Sequence, residues 1–241
     1  MLNQFFVTHL PSSGEVIVDG DEAHHALKVL RIKEGERIRL CDGIKSFAEV
    51  EVISIGKNQF TSSIKSYGEV PPTRVHLTVV QALPKSDRIK ETLELLTEGG
   101  VSEIIPWQAE RSIAQWQSDS ESKWNSAVRE ASKQARRVVI PKVSSRKNSL
   151  DVMTVLGDAD CVLVFHESQT QPLSQVLEKI STKSISRLAL IIGPEGGISE
   201  RELAEFQSRG AIAVRMGEPI FRAAHAGVAA LAAVQTGLRL W

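Results

Sequence analysis

The sequence predicts an α/β protein: a mainly parallel sheet with helices on both faces, preceded by a small antiparallel β-barrel. Three observations predict it. Up to Tyr67 the chain offers short alternating or β-rich runs separated by turn signals, with a single helix-like piece among them. Two consecutive prolines, Pro71 and Pro72, then interrupt it, and neither a helix nor a central strand accommodates them. Beyond them strand and helix alternate repeatedly, the pattern of parallel strands joined by crossover helices. The prolines of GEVPPT divide the chain into domains over 1–68 and 73–241, with 69–72 as the linker.

In order, FFVT, EVIVDG, RIRLCDG, FAEVEVISIG and QFTSSIKS read as strands, and Asp-Gly and Gly-Lys-Asn supply the turns. The helix-like piece is DEAHHALKVLRI, with Ala26, Val29 and Leu30 on one face. In the second domain VHLTVVQAL is a strand, followed by a helix, SDRIKETLELLTEGG, that Ser86 caps and Gly99 or Gly100 ends. VSEIIPW is the next strand, SDSESKWNSAVREASKQARR a helix, VVIP extended, CVLVF a buried strand and QPLSQVLEKIS a helix. LALII, ISERELAEFQSRG and AIAVRMG repeat the unit, and an Ala- and Gly-rich helix closes the chain.

Bulk properties exclude several classes. The chain has 241 residues, 42% of them hydrophobic, enough for one large core or two smaller ones. Lys plus Arg and Asp plus Glu both number 29, so no global field draws in nucleic acid or an anionic membrane, and any such attraction must be local. Cys41 and Cys161 form no CxxC, which argues against a disulfide framework or a zinc site, and the six histidines show no HxH or HExxH, so no metal is expected. The start lacks a basic segment followed by a long apolar one, and AAHAGVAALAAVQTGL is too weakly apolar to span a membrane. A soluble, cytoplasmic protein is expected.

The chemistry gathers at strand-to-helix crossings. Ser199 followed by Glu202 is a capping box, so GPEGG, residues 193–197, fills the loop between LALII and its helix. In an open parallel sheet, ligands sit beyond the carboxyl ends of the strands, where glycine lets main-chain groups approach without a Cβ. A tight turn explains the same glycines, and both readings stay open for this motif taken alone. It is neither GxGxxG nor a P-loop. A second crossing, MGEPIFRAAHAG, follows AIAVR, and CVLVFHES ends a third strand with His166 and Glu167. Three such loops are able to line one pocket.

Taken together, VLRIKEGERIRLCDG, PKSDRIKETLELLTEGGVSEIIPWQAERS, EASKQARRVVIPKVS, GPEGGIS after LALII, and MG followed by IFR resemble the ribosomal RNA small-subunit methyltransferase E family of the SPOUT superfamily, in register over nearly the whole chain. The resemblance implies an N-terminal PUA-like barrel, a C-terminal domain threaded into a trefoil knot, a homodimer, and S-adenosylmethionine bent in the knot. The implied reaction is methylation of N3 of one uridine in small-subunit ribosomal RNA, free or in the assembled subunit. Carried over by position, the cofactor contacts are Phe165, His166, Gly193, Gly197, Met216, Gly217, Ile220, Phe221 and Ala223.

Methyl transfer from a sulfonium is an in-line displacement, and uracil N3 must lose its proton, so the site needs a proton acceptor or a cation facing the uracil anion. Arg222 matches the family's arginine and is the candidate cation; a helix-start pairing with Glu218 is the other reading. Glu195 orients a loop or accepts a proton. The family usually follows the arginine with a hydroxyl or acidic residue and a threonine, whereas this chain has Ala223-Ala224-His225. His225 is therefore a candidate for a polar role near cofactor or uracil, set against a histidine with no catalytic part. A second departure is Asn3-Gln4-Phe5-Phe6, which lacks the usual arginine before the aromatic pair.

For RNA, Lys133, Arg136, Arg137, Lys142, Arg146 and Lys147 lie between Ala131 and Leu150 with no acidic residue among them. Trp124, Ala127, Val128, Ala131 and Ala135 recur at helical spacing, placing Arg129, Lys133, Arg136 and Arg137 on the opposite face, where they are able to neutralise phosphates. By resemblance His25 and Arg31, in HALKVLR, belong to the RNA-binding barrel. The rival reading from another class is a non-catalytic RNA-binding or ribosome-assembly factor that keeps the fold. A nucleotide-dependent oxidoreductase lacks its GxGxxG.

Overall fold

The computed structural model describes Leu2–Trp241. The chain forms two compact units: one comprises residues up to Pro72 together with Ser132–Ile140, and the other Thr73–Ala131 with Pro141–Trp241.

The first unit is built on a five-stranded sheet in the order β1-β3-β4-β5-β2, from Gln4–Phe6 (β1), Glu15–Val18 (β2), Arg37–Cys41 (β3), Ser46–Ile55 (β4) and Phe60–Glu69 (β5). Neighbours pair antiparallel except β1, which runs parallel to β3, so the sheet is mixed where the sequence suggested purely antiparallel pairing. Period-two alternation sets the register: in β4 Ala48, Val50 and Val52 point inward while Glu49 and Glu51 remain partly exposed. With Phe5, Val16, Val18, Ile38, Leu40 and Phe60 they form the core. Helix α1, Gly20–His24, runs into a wider π-type turn over His25–Leu30. That widening breaks the expected common face, because Ala26 is buried while Val29 and Leu30 are exposed.

The extended piece VVIP divides differently from the expected domain boundary. Val138 packs with Phe6 and Cys41, the Ile140 N–H donates to Gly43 O at 2.9 Å, and Gln4 Nε2 donates to Arg137 O at 2.7 Å. Residues 132–140 therefore complete the first unit. Burial pushes the Cys41 thiol up to about 12, against the weaker opposing pull of Arg39, which leaves it a packing residue.

The second unit holds a parallel sheet in the order β12-β10-β11-β6-β7-β8, with β9 also beside β7. Its strands are His76–Ala82 (β6), Glu103–Gln108 (β7), Lys142–Val143 (β8), Lys147–Asn148 (β9), Cys161–Phe165 (β10), Arg187–Ile192 (β11) and Ile212–Val214 (β12). Helices cover both faces. Ser149–Val155 (α4) and Glu200–Ser208 (α6) close one core with Val80, Ile105, Trp107, Val164, Ile191 and Ala213. Ile89–Glu98 (α2), Leu173–Ser181 (α5) and Ala223–Gly237 (α7) pack together on the other face. Covered on both sides, β11 is buried from Leu188 to Ile192, the physical reason for the unbroken apolar run LALII. Ser120–Gln134 (α3) is the remaining helix.

Two local expectations change. Ser86 opens a single 3₁₀ turn, Ser86–Arg88, and makes no side-chain cap; α2 begins after it, at Ile89. The last helix begins at Ala223, so His225 lies in its first turn. The capping box forms as read: Ser199 Oγ accepts from the Glu202 N–H, and Glu202 accepts from the Ser199 N–H.

Candidate active site

Parallel pairing puts the ends of three strands side by side. Val164 of β10 lies opposite Ile191 of β11, and Phe165 opposite Val214 of β12, so Phe165-His166, Ile192-Gly193 and Val214-Arg215 leave the sheet at one edge. The loops that follow are tied together. The His166 N–H donates to Val214 O at 3.0 Å, the Arg215 N–H to Gln171 O, and the Leu173 N–H to Arg215 O, each at 2.9 Å. A cleft of about 260 Å³ opens between them. Phe165, His166, Gly193, Gly197, Met216, Gly217, Ile220 and Phe221 line it, whereas Ala223 does not; that residue is buried at the start of α7 and borders a neighbouring cleft.

The glycines are required by geometry. A Cβ on Gly193 would stand 2.7 Å from Ile198 Cγ1, and Gly197 has φ +74°, a left-handed conformation costly for any L side chain. Arg111 Nη1 donates to Gly196 O at 3.3 Å, pinning the loop from outside. The His166 ring is held by Ser168, whose Oγ lies 2.9 Å from Nδ1. Apolar Phe165, Ile192, Ile198 and Met216 line the inner wall, while Ile220 and Phe221 are 78% and 48% exposed at the mouth. An apolar slot edged by main-chain groups and a few polar side chains is the usual build of a small-molecule site, and it suits a purine ring with a polar tail.

The other named residues gather next door. Arg222, Glu195 and His225 line a second cleft of about 390 Å³ with Lys85, Asp87, Arg88 and Glu91. Consecutive residues divide the two: Pro194 and Phe221 face the first, Glu195 and Arg222 the second. Arg222 is exposed and, among the described residues, has no ion-pair partner; Glu218 pairs instead with Arg215 at 3.3 Å, which removes the helix-start pairing as an explanation for Arg222. Glu195 Oε1 accepts from the Lys85 N–H at 3.3 Å. His225 Nε2 lies 3.1 Å from Glu91 Oε1, and Arg88 Nη1 donates to the other oxygen at 2.8 Å. These hydrogen bonds, first that of His225 and then that of Arg88, hold the Glu91 carboxyl below its ordinary range.

Sequence reasoning reached Glu167 as a strand-end residue without giving it a role, and did not reach Lys85, Arg88, Glu91 or Arg111. The readable signal was positional: Lys85 follows β6, Arg111 follows β7 and Glu167 follows β10, all at carboxyl ends of parallel strands.

The basic candidates separate by burial. Lys133 is turned inward onto Glu22, 3.1 Å away, with only 10% of its side chain exposed. Burial also lowers the Arg137 pKa to about 10. The expected basic face fails because α3 ends at Gln134: Arg136 adopts φ 55°, the Arg137 N–H folds back onto Ser132 O, and helical spacing no longer governs either side chain. Arg136 and Arg31 are exposed, and His25 is half-buried edge-on against Phe5. Among the described residues no helix is long and apolar enough to cross a membrane, and no group of three or more metal-ligating side chains is assembled.

Comparison with known proteins bears on both units. Residues 71–235 match the family described as RNA methyltransferase domain, and residues 18–65 the one described as RNA methyltransferase PUA domain. The ribosomal RNA small subunit methyltransferase E of Mycobacterium tuberculosis is 37% identical over 246 residues, spanning 98% of this chain and 92% of that protein. Its namesake from Bacillus subtilis is 27% identical, over 90% and 88% of the two chains. Among solved structures, the methyltransferase E of Neisseria gonorrhoeae bound to S-adenosyl methionine superposes with a TM-score of 0.90 and 25% identity, over 100% of this chain and 98% of that one. The first family model alone covers most of the sequence and includes all three loops of the strand-end cleft. This chain belongs to the RNA methyltransferase family, with an RNA methyltransferase PUA domain ahead of its methyltransferase domain.

Proposed function

We propose that the chain transfers the methyl group of S-adenosylmethionine to N3 of a uridine in small-subunit ribosomal RNA. The observation that carries this reading is the pair of adjoining clefts: a glycine-backed slot at three parallel strand ends, and beside it a charged cleft with an exposed arginine. Phe165, Gly193, Gly197, Met216, Gly217, Ile220 and Phe221 hold the donor, and the Glu167 carboxylate complements its positive charge. The donor supplies an electrophilic methyl group on sulfur. Arg222 faces the negative charge that develops on the uracil ring as N3 loses its proton. Glu195, tethered to the Lys85 main chain, orients the GPEGG loop.

The target base must leave its stack to reach a recessed methyl group, so structured ribosomal RNA or the assembled subunit is the substrate and free uridine a poor one. Arg31 and Arg136 in the first unit contact phosphates, which set position without reading sequence. A homodimer and the knotted threading of the carboxyl-terminal segment belong to the same reading. The groove between α5 and α7, lined by Leu173, Leu177, Ala232, Ala233 and Leu238, supports pairing of two copies, and sedimentation of the purified chain tests it.

Mass spectrometry of small-subunit ribosomal RNA from cells lacking the gene, with and without complementation, tests the reaction. Loss and restoration of one N3-methyluridine is the expected result; an unaltered modification pattern overturns it. The Ala223-Ala224 pair favours the non-catalytic reading, because both side chains are buried and donate nothing. Calorimetry separates the two, since a pure binding factor has no saturable affinity for S-adenosylmethionine.

A further inference from the structure

We infer, resting on the reading of the site as a uridine N3-methyltransferase, that His225 takes the proton from the pyrimidine nitrogen and that Glu91 is its positioning residue. The argument starts from the hydrogen bonds. Glu91 is a carboxylate held by two donors, His225 Nε2 at 3.1 Å and Arg88 Nη1 at 2.8 Å. An ionised carboxylate only accepts, so the hydrogen of the neutral imidazole sits on Nε2 and the lone pair on Nδ1. A carboxylate that fixes the tautomer and orientation of an imidazole in this way is the arrangement a general base requires. The ring is 43% exposed, lines the cleft beside Arg222, and is anchored in the first turn of α7.

The charged groups that share this cleft are mixed in sign. Lys85, Arg88 and Arg222 are positive, and Asp87, Glu91 and Glu195 are negative. Glu195 accepts from the Lys85 N–H, Asp87 pairs with Arg88 at 3.7 Å, and Glu91 holds both Arg88 and His225, which leaves His225 as the cleft's base. In the step itself, the N3–H proton passes to His225 Nδ1 and the N3 electron pair forms the bond to the methyl carbon. The carbon–sulfur bond breaks with its pair remaining on sulfur, converting the sulfonium to a neutral thioether. Charge that builds on the ring carbonyl oxygens faces Arg222, and the imidazolium returns its proton to water after product leaves.

Single-turnover methylation of small ribosomal subunits by the full chain tests this. His225→Ala and His225→Gln should each lower the rate at neutral pH by about 100-fold, the lower end of what a positioned general base contributes. They should also change the acid limb of the pH–rate profile. Calorimetric affinity for S-adenosylmethionine should not change. Glu91→Leu should lower the rate by about tenfold. A second readout needs neither donor nor RNA: the ¹⁵N resonances of His225 should report the Nε2-protonated tautomer in the parent and a mixture in Glu91→Leu. If His225→Gln keeps the full rate and the parent's pH profile, or if the parent's imidazole carries its hydrogen on Nδ1, the inference is overturned while the methyltransferase reading survives. A parent chain that binds the donor but yields no N3-methyluridine overturns both.

Discussion

Replacing Gly193 with alanine tests why the slot is built on glycine. The new Cβ would stand 2.7 Å from Ile198 Cγ1, where ordinary contacts begin at 3.4 Å, so one side must yield by ~0.7 Å. Ile198 is 3% exposed and packed in the core with Trp107, Leu203 and Phe206, so it cannot swing into solvent. Overpacking of this kind costs about 1–3 kcal/mol. At roughly 2–4 °C per kcal/mol for a domain of this size, the melting temperature should fall by several degrees. Ile198→Ala alone should cost about 2–5 kcal/mol, but it deletes the atom the new methyl strikes. The double variant should therefore be more stable than the sum of the singles by about 1–3 kcal/mol. Urea unfolding followed by tryptophan fluorescence measures the cycle. Because both residues line the cleft, calorimetry should show weaker S-adenosylmethionine binding in Gly193→Ala, tenfold for each 1.4 kcal/mol or so lost. Strict additivity would refute the steric reasoning.

Ser199→Ala removes a capping hydroxyl that also donates to Glu110 at 2.6 Å, and should cost about 1 kcal/mol in thermal unfolding, with Ser199→Thr milder. Arg136→Ala should weaken RNA binding and reduce the slope of affinity against salt by about one, measured by titration at several ionic strengths. Lys133→Ala should act on the fold instead, costing about 1–3 kcal/mol in urea unfolding, because it deletes a buried charged partner that meets Glu22 at 3.1 Å. Burial tends to raise the Glu103 carboxyl, but hydrogen bonds from Ser144 and Lys142 outweigh it and leave the group below its ordinary 4.5. A depressed folded-state value stabilises above the unfolded value and is lost as pH falls through the folded one. Acid unfolding below about pH 4.5 should thus be blunted in Glu103→Gln, as a circular-dichroism titration would show.

Much of this protein was legible in its residues. Alternation in FAEVEV gave the buried face of β4, the continuous apolar run LALII marked a strand covered on both sides, and Ser199 with Glu202 announced a helix start. The strand-end cleft was largely legible too, because its glycines and apolar pair sit in loops whose position follows from the end of a strand. Val29, Leu30 and Arg137 are misplaced by extending ideal helical spacing through a π-type turn and past a helix that stops at Gln134, Ser86 meets a 3₁₀ turn instead of a helix start, and Lys133, still inside α3, turns inward onto Glu22.

What the chain dictates on its own depends on neighbours a few residues away: hydrogen-bonded turns, caps, side-chain periodicity and the glycine positions that tolerate a left-handed backbone. Tertiary structure alone decided the rest, since it depends on which distant segments pair. β10 sits between β11 and β12, Ser132–Ile140 joins the first unit, and Glu91 meets His225 across 134 residues of sequence. Two side chains so far apart encode no mutual signal in one sequence. They become a chemical unit when α2 and α7 pack on the same face of a parallel sheet.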